Sequence, residues 1–302
     1  MKTKGGKAAD GIPTMAGIPP GAANPPAAWI DWGGTGHLMH FGHANGFSPR
    51  IYGPFLRCFL PEYRVASLES RPMWPGSDPT ELHDWSPLAL DLKKAVDSNG
   101  FRGSVGLGHS LGAICSLWAA ADDPGLFRAL VLVDPAFFSG PLSILWGAMQ
   151  RLHRVDRTPI VAGAIRRRDR WPSRTEARRA WRDKPLFRDF REECFDAYLD
   201  TGLEQAPEGG LRLRYPKEWE AAIFRSTPAS PWNLVRRSTV PILLVRGEHS
   251  NALSRASLRK FERLVRNGEA MEIPGVSHML PLEQPGAVAD RIQLWLQGVV
   301  SR

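Results

Sequence analysis

The sequence predicts an α/β protein whose mostly parallel central sheet is covered by helices on both faces. Short apolar segments alternate with longer amphipathic segments in two parts of the chain, before residue 135 and after residue 239. Residues 129–133 and 241–245 are apolar throughout, as strands buried on both faces should be. The part between them lacks this alternation, which predicts an inserted helical cap.

Strands and helices follow one another in a regular order outside that insertion. Strands are expected at residues 36–42, 63–68, 105–107, 129–133, 241–245 and 270–273. Helices are expected at about residues 52–60, 85–99, 113–121, 254–267 and 286–298. In the second of these helices Leu88, Leu92 and Val96 form an apolar stripe, and Asn99-Gly100 provides its end.

The domain limits follow from composition. Residues 1–28 are rich in Gly, Ala and Pro and lack the apolar centre of a signal peptide, so they are expected to form a disordered leader. Residues 29–135 and 239–302 are expected to build the core. Residues 136–238 are expected to build the cap, because prolines divide that segment into short charged helices.

Length and composition restrict the class of protein further. A chain of 302 residues with 43% hydrophobic residues can bury a large core, and no apolar run approaches the length of a membrane span. The cysteines, Cys58, Cys115 and Cys194, are odd in number and widely spaced, which is typical of reduced thiols in a cytoplasmic protein. No metal-ligand spacing is present, so neither a metal nor a cofactor is expected.

The formal net charge is +8, and the basic residues concentrate between Arg151 and Arg191. Acidic residues are interleaved there, which favours a solvated helical surface with ion pairs over a nucleic-acid stripe. A nucleic-acid or membrane-surface contact that weakens with salt is the least favoured alternative. A basic rim that attracts acidic substrates is a further one.

Gly108-His109-Ser110-Leu111-Gly112 lies between a predicted strand and a predicted helix. This G-x-S-x-G pattern, in that context, is typical of a nucleophile elbow. Glycines on both sides let the strand and the helix approach closely, and the helix N-terminus directs free N–H groups at the reacting centre. Ser110 is therefore the candidate nucleophile.

A serine hydroxyl needs a base within hydrogen-bond reach, and that base needs a third group to orient it. His278 is the leading candidate for the base, because it follows the last predicted strand in a loop rich in turn residues. His109, inside the elbow, is expected to be a packing or hydrogen-bonding residue.

These motifs resemble the α/β-hydrolase superfamily in its cap-bearing branch, over about residues 29–300. The similar segments are His43-Ala44-Asn45-Gly46, the elbow, Leu132-Val133-Asp134-Pro135 and Gly275-Val276-Ser277-His278. The resemblance implies the α/β-hydrolase fold and a Ser-His-acid triad. It also implies an oxyanion hole formed by the backbone N–H groups of Asn45 and Leu111.

The triad acid departs from the family pattern. Most members have an aspartate shortly after the strand that here ends at Val245, where this chain has Asn251. An amide stabilises an imidazolium much less than a carboxylate does. Asp134 is the first candidate acid and Glu248 the second, while a structural role of Asp134 beside Pro135 is almost as well supported.

The expected function is a serine hydrolase that cleaves a carboxylic ester or related acyl bond through an acyl-enzyme. The expected partner is a small, apolar, carbonyl-containing substrate, with no nucleic acid and no membrane span. The alternatives are a non-catalytic binding protein, a cofactor-independent oxygenase or perhydrolase, and a C–C bond hydrolase, all on the same fold. The oligomeric state cannot be predicted.

Overall fold

The computed structural model describes residues 28–300, so the predicted leader lies outside the described residues except for Ala28. The strands, in chain order, are β1 (Trp29–Gly33), β2 (His37–Gly42), β3 (Tyr63–Leu68), β4 (Ser104–His109), β5 (Phe127–Val133), β6 (Arg170–Trp171), β7 (Leu203–Gln205), β8 (Leu211–Leu213), β9 (Ile242–Gly247) and β10 (Gly268–Ile273). Seven strands form one sheet in the order β1-β3-β2-β4-β5-β9-β10. All its pairings are parallel except that of β1 with β3.

The described helices surround this sheet. They are α1 (Gly53–Arg57), α2 (Ser86–Ser98), α3 (Leu111–Asp122), α4 (Pro141–Arg151), α5 (Pro159–Ile165), α6 (Arg174–Arg182), α7 (Glu192–Thr201), α8 (Lys217–Arg225), α9 (Trp232–Arg237), α10 (Arg255–Leu264), α11 (Leu280–Glu283) and α12 (Pro285–Val300). None of the helices within residues 28–300 is both long and apolar enough to cross a membrane.

Strand β5 shows why the sheet needs helices on both faces. Successive side chains of a strand point to opposite faces. Val131 and Val133 accordingly join one hydrophobic layer with α12, while Leu130 and Leu132 join another with α2 and α3. All four side chains are fully buried. The predicted fold class, a mostly parallel sheet with helices on both faces, is confirmed.

Strand β1 is the one strand of the large sheet that the sequence analysis did not predict. It pairs only with β3, in antiparallel orientation, and its register shifts between Asp31 and Gly33. It is therefore an edge strand, and Asp31 interrupts its apolar pattern. An edge strand of this kind lacks the continuous apolar run that marks the buried parallel strands.

The segment between β5 and β9 contains helices, as expected, and also a small antiparallel sheet in the order β6-β8-β7. The helices of this segment were expected, whereas the small sheet was not predicted. Strands of two or three residues are too short to show alternating hydrophobicity, so their sequence carries no readable period. The limits of the cap, 136 and 238, stay a prediction.

Aromatic side chains fill the interior of the insertion and tie it to the core. Trp181 packs edge-on against Trp171 and Tyr198, with ring centroids 4.5 and 4.9 Å apart. Trp219 donates a hydrogen bond of 3.0 Å to Ser77 Oγ, in the loop after β3. The insertion is thereby held over the end of the sheet where the candidate site lies.

Candidate active site

Ser110 occupies a strained turn between β4 and α3. Its backbone has φ 53° and ψ −112°, a conformation that costs a non-glycine residue about 1–3 kcal/mol. The Ser110 N–H donates a 2.9 Å hydrogen bond to Val133 O, which ties the turn to the end of β5. The strain is therefore held by the sheet, and the serine stays partly exposed at the sheet edge.

The glycines of the motif are required by close backbone approach. A Cβ atom on Gly112 would lie 2.2 Å from the carbonyl carbon of Gly42 at the end of β2. A Cβ atom on Gly108 would lie 2.5 Å from Ala113 N. Helix α3 can therefore begin directly against β2 and β4, as the sequence analysis expected for an elbow.

The loop after β2 lies against the start of α3. Gly112 N–H donates to His43 O at 3.1 Å, which fixes the position of the loop relative to the elbow. Within residues 28–300 the N–H groups of Leu111 and Asn45 donate to no other group of the protein. Both of the donors expected for an oxyanion hole are thus free to bind an oxygen atom from outside the protein.

The side chain of Asn45 is held by the inserted segment. Its Nδ2 donates to Glu220 O at 3.0 Å, and its Oδ1 accepts from Tyr215 Oη at 2.9 Å. Glu220 is itself paired with Arg167 at 2.6 Å. A Cβ atom on Gly46 would meet this carboxylate at 3.2 Å, so the ion pair lies directly over the loop. The conformation of the candidate oxyanion loop therefore depends on the position of the cap.

Asp134 and His278 come together beside the elbow. Asp134 follows β5, is fully buried, and has a positive φ of 44°. Its Oδ2 lies 3.6 Å from Nδ1 of His278. Among the described residues, both atoms are buried and neither has a hydrogen-bond partner. Two orphaned polar atoms that face each other form a pair that can close into a hydrogen bond from Nδ1–H to the carboxylate.

Ser250 supports this carboxylate from the neighbouring loop. Its hydroxyl donates to the other carboxylate oxygen, Asp134 Oδ1, at 2.8 Å. The same oxygen of Ser250 accepts the N–H groups of Ala252 and Leu253, each at 3.1 Å. The loop after β9 thus orients an acid that belongs to β5. Ser250 belongs to no motif that would mark it in the sequence, although its neighbour Asn251 departs from the pattern expected for this loop.

The other two candidate acids lie elsewhere. Glu248 Oε2 accepts a 2.9 Å hydrogen bond from Gly275 N, and its side chain is partly exposed. Asn251 is exposed, and within residues 28–300 its side chain forms no hydrogen bond to His278. The structure therefore brings Asp134, and neither Glu248 nor Asn251, to the candidate base.

His109 connects the elbow to the loop that carries His278. Its Nε2 donates to His278 O at 2.8 Å, and its Nδ1 accepts from the hydroxyl of Tyr52 at 2.7 Å. Burial, reinforced by the nearby His278, lowers the pKa of His109 well below its usual value. A permanently neutral ring can donate through one nitrogen and accept through the other. His109 is a hydrogen-bonding residue, as expected, but Tyr52 was expected only as an apolar helix residue.

Within residues 28–300 no hydrogen bond joins Ser110 Oγ to His278, although His109, the residue before Ser110, bonds to His278 O. The side chain of His278 is 22% exposed to solvent. Catalytic hydrogen bonds are often long in an unliganded enzyme and shorten when the substrate is bound. Proton transfer from a serine to an imidazole requires that such a hydrogen bond form when the substrate is bound.

Comparisons with known proteins agree with this architecture. The chain is 26% identical to 2-(acetamidomethylene)succinate hydrolase from Mesorhizobium japonicum, over 81% of this chain and 82% of that protein. The crystal structure of E-2-(acetamidomethylene)succinate hydrolase superposes with a TM-score of 0.73 at 22% identity, covering 89% of this chain and 94% of the other. An esterase from M. tuberculosis superposes with a TM-score of 0.66 at 19% identity, covering 94% and 93%.

The two structural matches show a shared fold. The family itself is shown by a sequence match that runs from residue 38 to residue 291, from β2 into α12. That stretch includes the elbow, Asp134, the insertion and His278. The chain belongs to the alpha/beta hydrolase family.

Proposed function

We propose that the protein is a serine hydrolase that cleaves a carboxylic ester or a related acyl bond through a covalent acyl-enzyme. In this proposal Ser110 is the nucleophile, His278 the general base and Asp134 the acid. The observation that carries it is the 3.6 Å approach of Asp134 Oδ2 to His278 Nδ1, beside the strained turn of Ser110.

Acylation follows from the roles of these groups. Ser110 Oγ attacks the carbonyl carbon while His278 Nε2 takes the hydroxyl proton. Buried Asp134 stabilises the imidazolium that results, because the attraction between opposite charges is strong where water is excluded. The tetrahedral intermediate then collapses, the bond to the leaving group breaks, and His278 returns the proton to that group.

Deacylation repeats these steps with water. His278 removes a proton from a water molecule, the hydroxide oxygen attacks the acyl carbon, and Ser110 Oγ leaves with the proton that His278 returns. The sum is one ester and one water converted into one acid and one alcohol.

The oxyanion is assigned to the N–H groups of Leu111 and Asn45. The bond from Gly112 N to His43 O supports this assignment, because it holds the two donors on adjacent turns. Charge develops on the substrate oxygen only in the transition state, so fixed donors there lower the barrier more than they tighten substrate binding.

The substrate class is proposed more broadly than a simple ester. One relative is named for a succinate that carries an acetamidomethylene group. A substrate panel for this chain should therefore contain aryl esters, thioesters and acetamido-substituted dicarboxylic acids. The same nucleophile and oxyanion hole can act on each of these carbonyl groups.

The proposal is tested with p-nitrophenyl acetate and butyrate and with a fluorophosphonate probe. We expect a burst of nitrophenol and a labelled Ser110 peptide, both lost in Ser110→Ala and in His278→Ala. The expected fall in kcat is about 10⁴-fold to 10⁶-fold. Ser98→Ala, an exposed serine at the end of α2, is the matched control and should change neither readout.

Two outcomes would contradict the mechanism. A folded wild type with neither turnover on the panel nor labelling would favour a binding protein on this fold. Activity that survives Ser110→Ala but not His278→Ala would favour the cofactor-independent oxygenase reaction.

A further inference from the structure

The first two helices of the insertion expose an unusual amount of apolar surface. Nine large hydrophobic side chains are exposed within the described residues, and six of them lie on or next to α4 and α5. We refer to these six as the α4–α5 face: Leu142, Ile144, Leu145, Leu152, Ile160 and Ile165. Ile144 is the most exposed, at 76%. Isolated exposed leucines are ordinary, but six exposed large hydrophobic side chains within 24 residues of chain are typical of a contact surface.

The exposure is fixed by the way α4 is anchored. Ser143 Oγ donates to Ala229 O at 2.7 Å, Trp146 Nε1 donates to Thr227 O at 3.1 Å, and Gln150 Nε2 donates to Thr227 O at 2.9 Å. At 3.6 residues per turn, residues 143, 146 and 150 share one side of the helix, and residues 145 and 152 lie on the opposite side. Helix α4 cannot rotate its apolar side inward without breaking all three bonds.

The same stretch carries uncompensated positive charge. Residues 141–170 contain seven arginines and only two acidic residues. Both acidic side chains are already paired, Asp156 with Arg225 at 2.5 Å and Asp169 with Lys217 at 3.1 Å. Five of the seven arginines in this stretch have no carboxylate within 4.0 Å among residues 28–300. They are Arg151, Arg154, Arg157, Arg166 and Arg168.

We propose that the α4–α5 face docks on an anionic lipid surface. The apolar side chains would enter the boundary between headgroups and acyl chains, and the arginines beside them would lie near the lipid phosphates. Contact would be peripheral. The five unpaired arginines decide between a membrane and a second copy of the chain, because a symmetric dimer through this face would place like charges opposite each other.

The test uses the full chain with vesicles of phosphatidylcholine, with and without phosphatidylglycerol, in a sedimentation assay. We expect binding only to the anionic vesicles, and a loss of binding at high salt. Leu142→Ser/Leu145→Ser should lower the partition coefficient about tenfold or more, because it removes inserted apolar area. Arg151→Gln/Arg154→Gln should lower it by about the same factor.

Matched controls separate this effect from a general change of surface. Leu90→Ser/Leu294→Ser removes two leucines that are 49% and 67% exposed on α2 and α12. Arg259→Gln/Arg263→Gln removes two exposed arginines on α10. Both controls should bind as wild type does. Hydrolysis of a soluble ester, or the far-ultraviolet circular dichroism spectrum, checks that every variant is folded.

The proposal is overturned if wild type does not sediment with anionic vesicles, or if the Leu142/Leu145 variant sediments as wild type does. Light scattering identifies the alternative. A wild-type dimer that this variant dissociates, together with no vesicle binding, would assign the α4–α5 face to a second copy of the chain.

Discussion

Asp134→Asn is the substitution that most directly tests the proposed triad. In the structure, Ser250 O–H donates to Oδ1 of Asp134, and Oδ2 faces His278 Nδ1 at 3.6 Å. An asparagine that keeps its oxygen towards Ser250 must direct its NH₂ group at Nδ1 of the imidazole. His278 would then carry its proton on Nε2 and could not accept one from Ser110.

The reverse orientation of the asparagine is disfavoured by the same contacts. It would direct the NH₂ group at Ser250 Oγ, which already accepts from Ala252 N and Leu253 N at 3.1 Å each. Asp134→Asn should therefore lower kcat by about 10⁴-fold, the effect of a wrong imidazole tautomer in serine proteases, with KM little changed. This corresponds to about 5.5 kcal/mol of transition-state stabilisation.

Ser250 makes the argument specific to this protein. Ser250→Ala removes the group that locks the amide orientation, so Asp134→Asn/Ser250→Ala should recover about tenfold over Asp134→Asn, the effect of relieving one hydrogen bond. Ser250→Ala alone should lose activity, because it leaves Asp134 Oδ1 with one partner fewer. The assay is kcat and KM on p-nitrophenyl butyrate, with the active fraction titrated by the fluorophosphonate.

Glu248→Gln serves as the matched carboxylate control, and we expect it to retain wild-type activity. The reasoning is refuted if Asp134→Asn stays within about tenfold of wild type while Glu248→Gln falls sharply, since a single lost hydrogen bond would account for no more than that. If Asp134→Asn/Ser250→Ala is less active than Asp134→Asn, the tautomer explanation is refuted, while the assignment of Asp134 as the acid still stands.

The remaining predictions concern the frame around the site. Gly112→Ala should abolish soluble folded protein, because its Cβ atom would lie 2.2 Å from Gly42, whereas Gly298→Ala on α12 meets nothing within 4 Å and should leave thermal unfolding unchanged or raised. Tyr52→Phe leaves His109 Nδ1 without its hydrogen-bond donor. It should lower the free energy of unfolding in urea by about 1–3 kcal/mol and change kcat more than KM. The control is Tyr63→Phe, because the Tyr63 hydroxyl forms no hydrogen bond within residues 28–300. Burial lowers the pKa of three histidines. Below about pH 6.5 the unfolded chain therefore binds protons at these residues that the folded chain does not bind. The free energy of unfolding should fall there by up to about 1.4 kcal/mol per pH unit for each histidine. These are His40, whose pKa is lowered to about 3, His43 and His109. A stability that stays constant between about pH 7 and pH 5 would contradict this.

The large sheet was predictable because its central strands are simple in sequence. Residues buried on both faces must be apolar at every position, and such runs are short, so β5 and β9 were predicted to within a few residues. Strands β6, β7 and β8 have two or three residues each and no period to detect. Strands β7 and β8 are joined by a turn at Gly209 and Gly210, both with positive φ, whose role is visible only once the two strands are placed.

One local motif predicted the strained turn at Ser110, and position in chain order predicted that His278 would lie beside a carboxylate; the structure has both features. Tyr52 and Ser250 were not predictable, because each acts through a partner distant in sequence. Tyr52 contacts His109, and Ser250 contacts Asp134, 57 and 116 residues away respectively. A hydroxyl has no sequence pattern that shows which buried group it will bond.

The position of the acid follows from the order of the strands. Strands β5 and β9 are adjacent and parallel, with Val133 paired to Val245, so the loops that follow them leave the sheet side by side. Parallel neighbours present their carboxyl ends at one edge, and a carboxylate on either loop can therefore reach the same imidazole. Asp134 N–H donates to Val245 O at 2.7 Å, which holds the aspartate against the loop that follows β9. In this chain that loop provides Ser250 in place of a charge. If Asp134 is the acid, as proposed, Asn251 needs no charge, because the loop after β9 then only orients the carboxylate that β5 supplies.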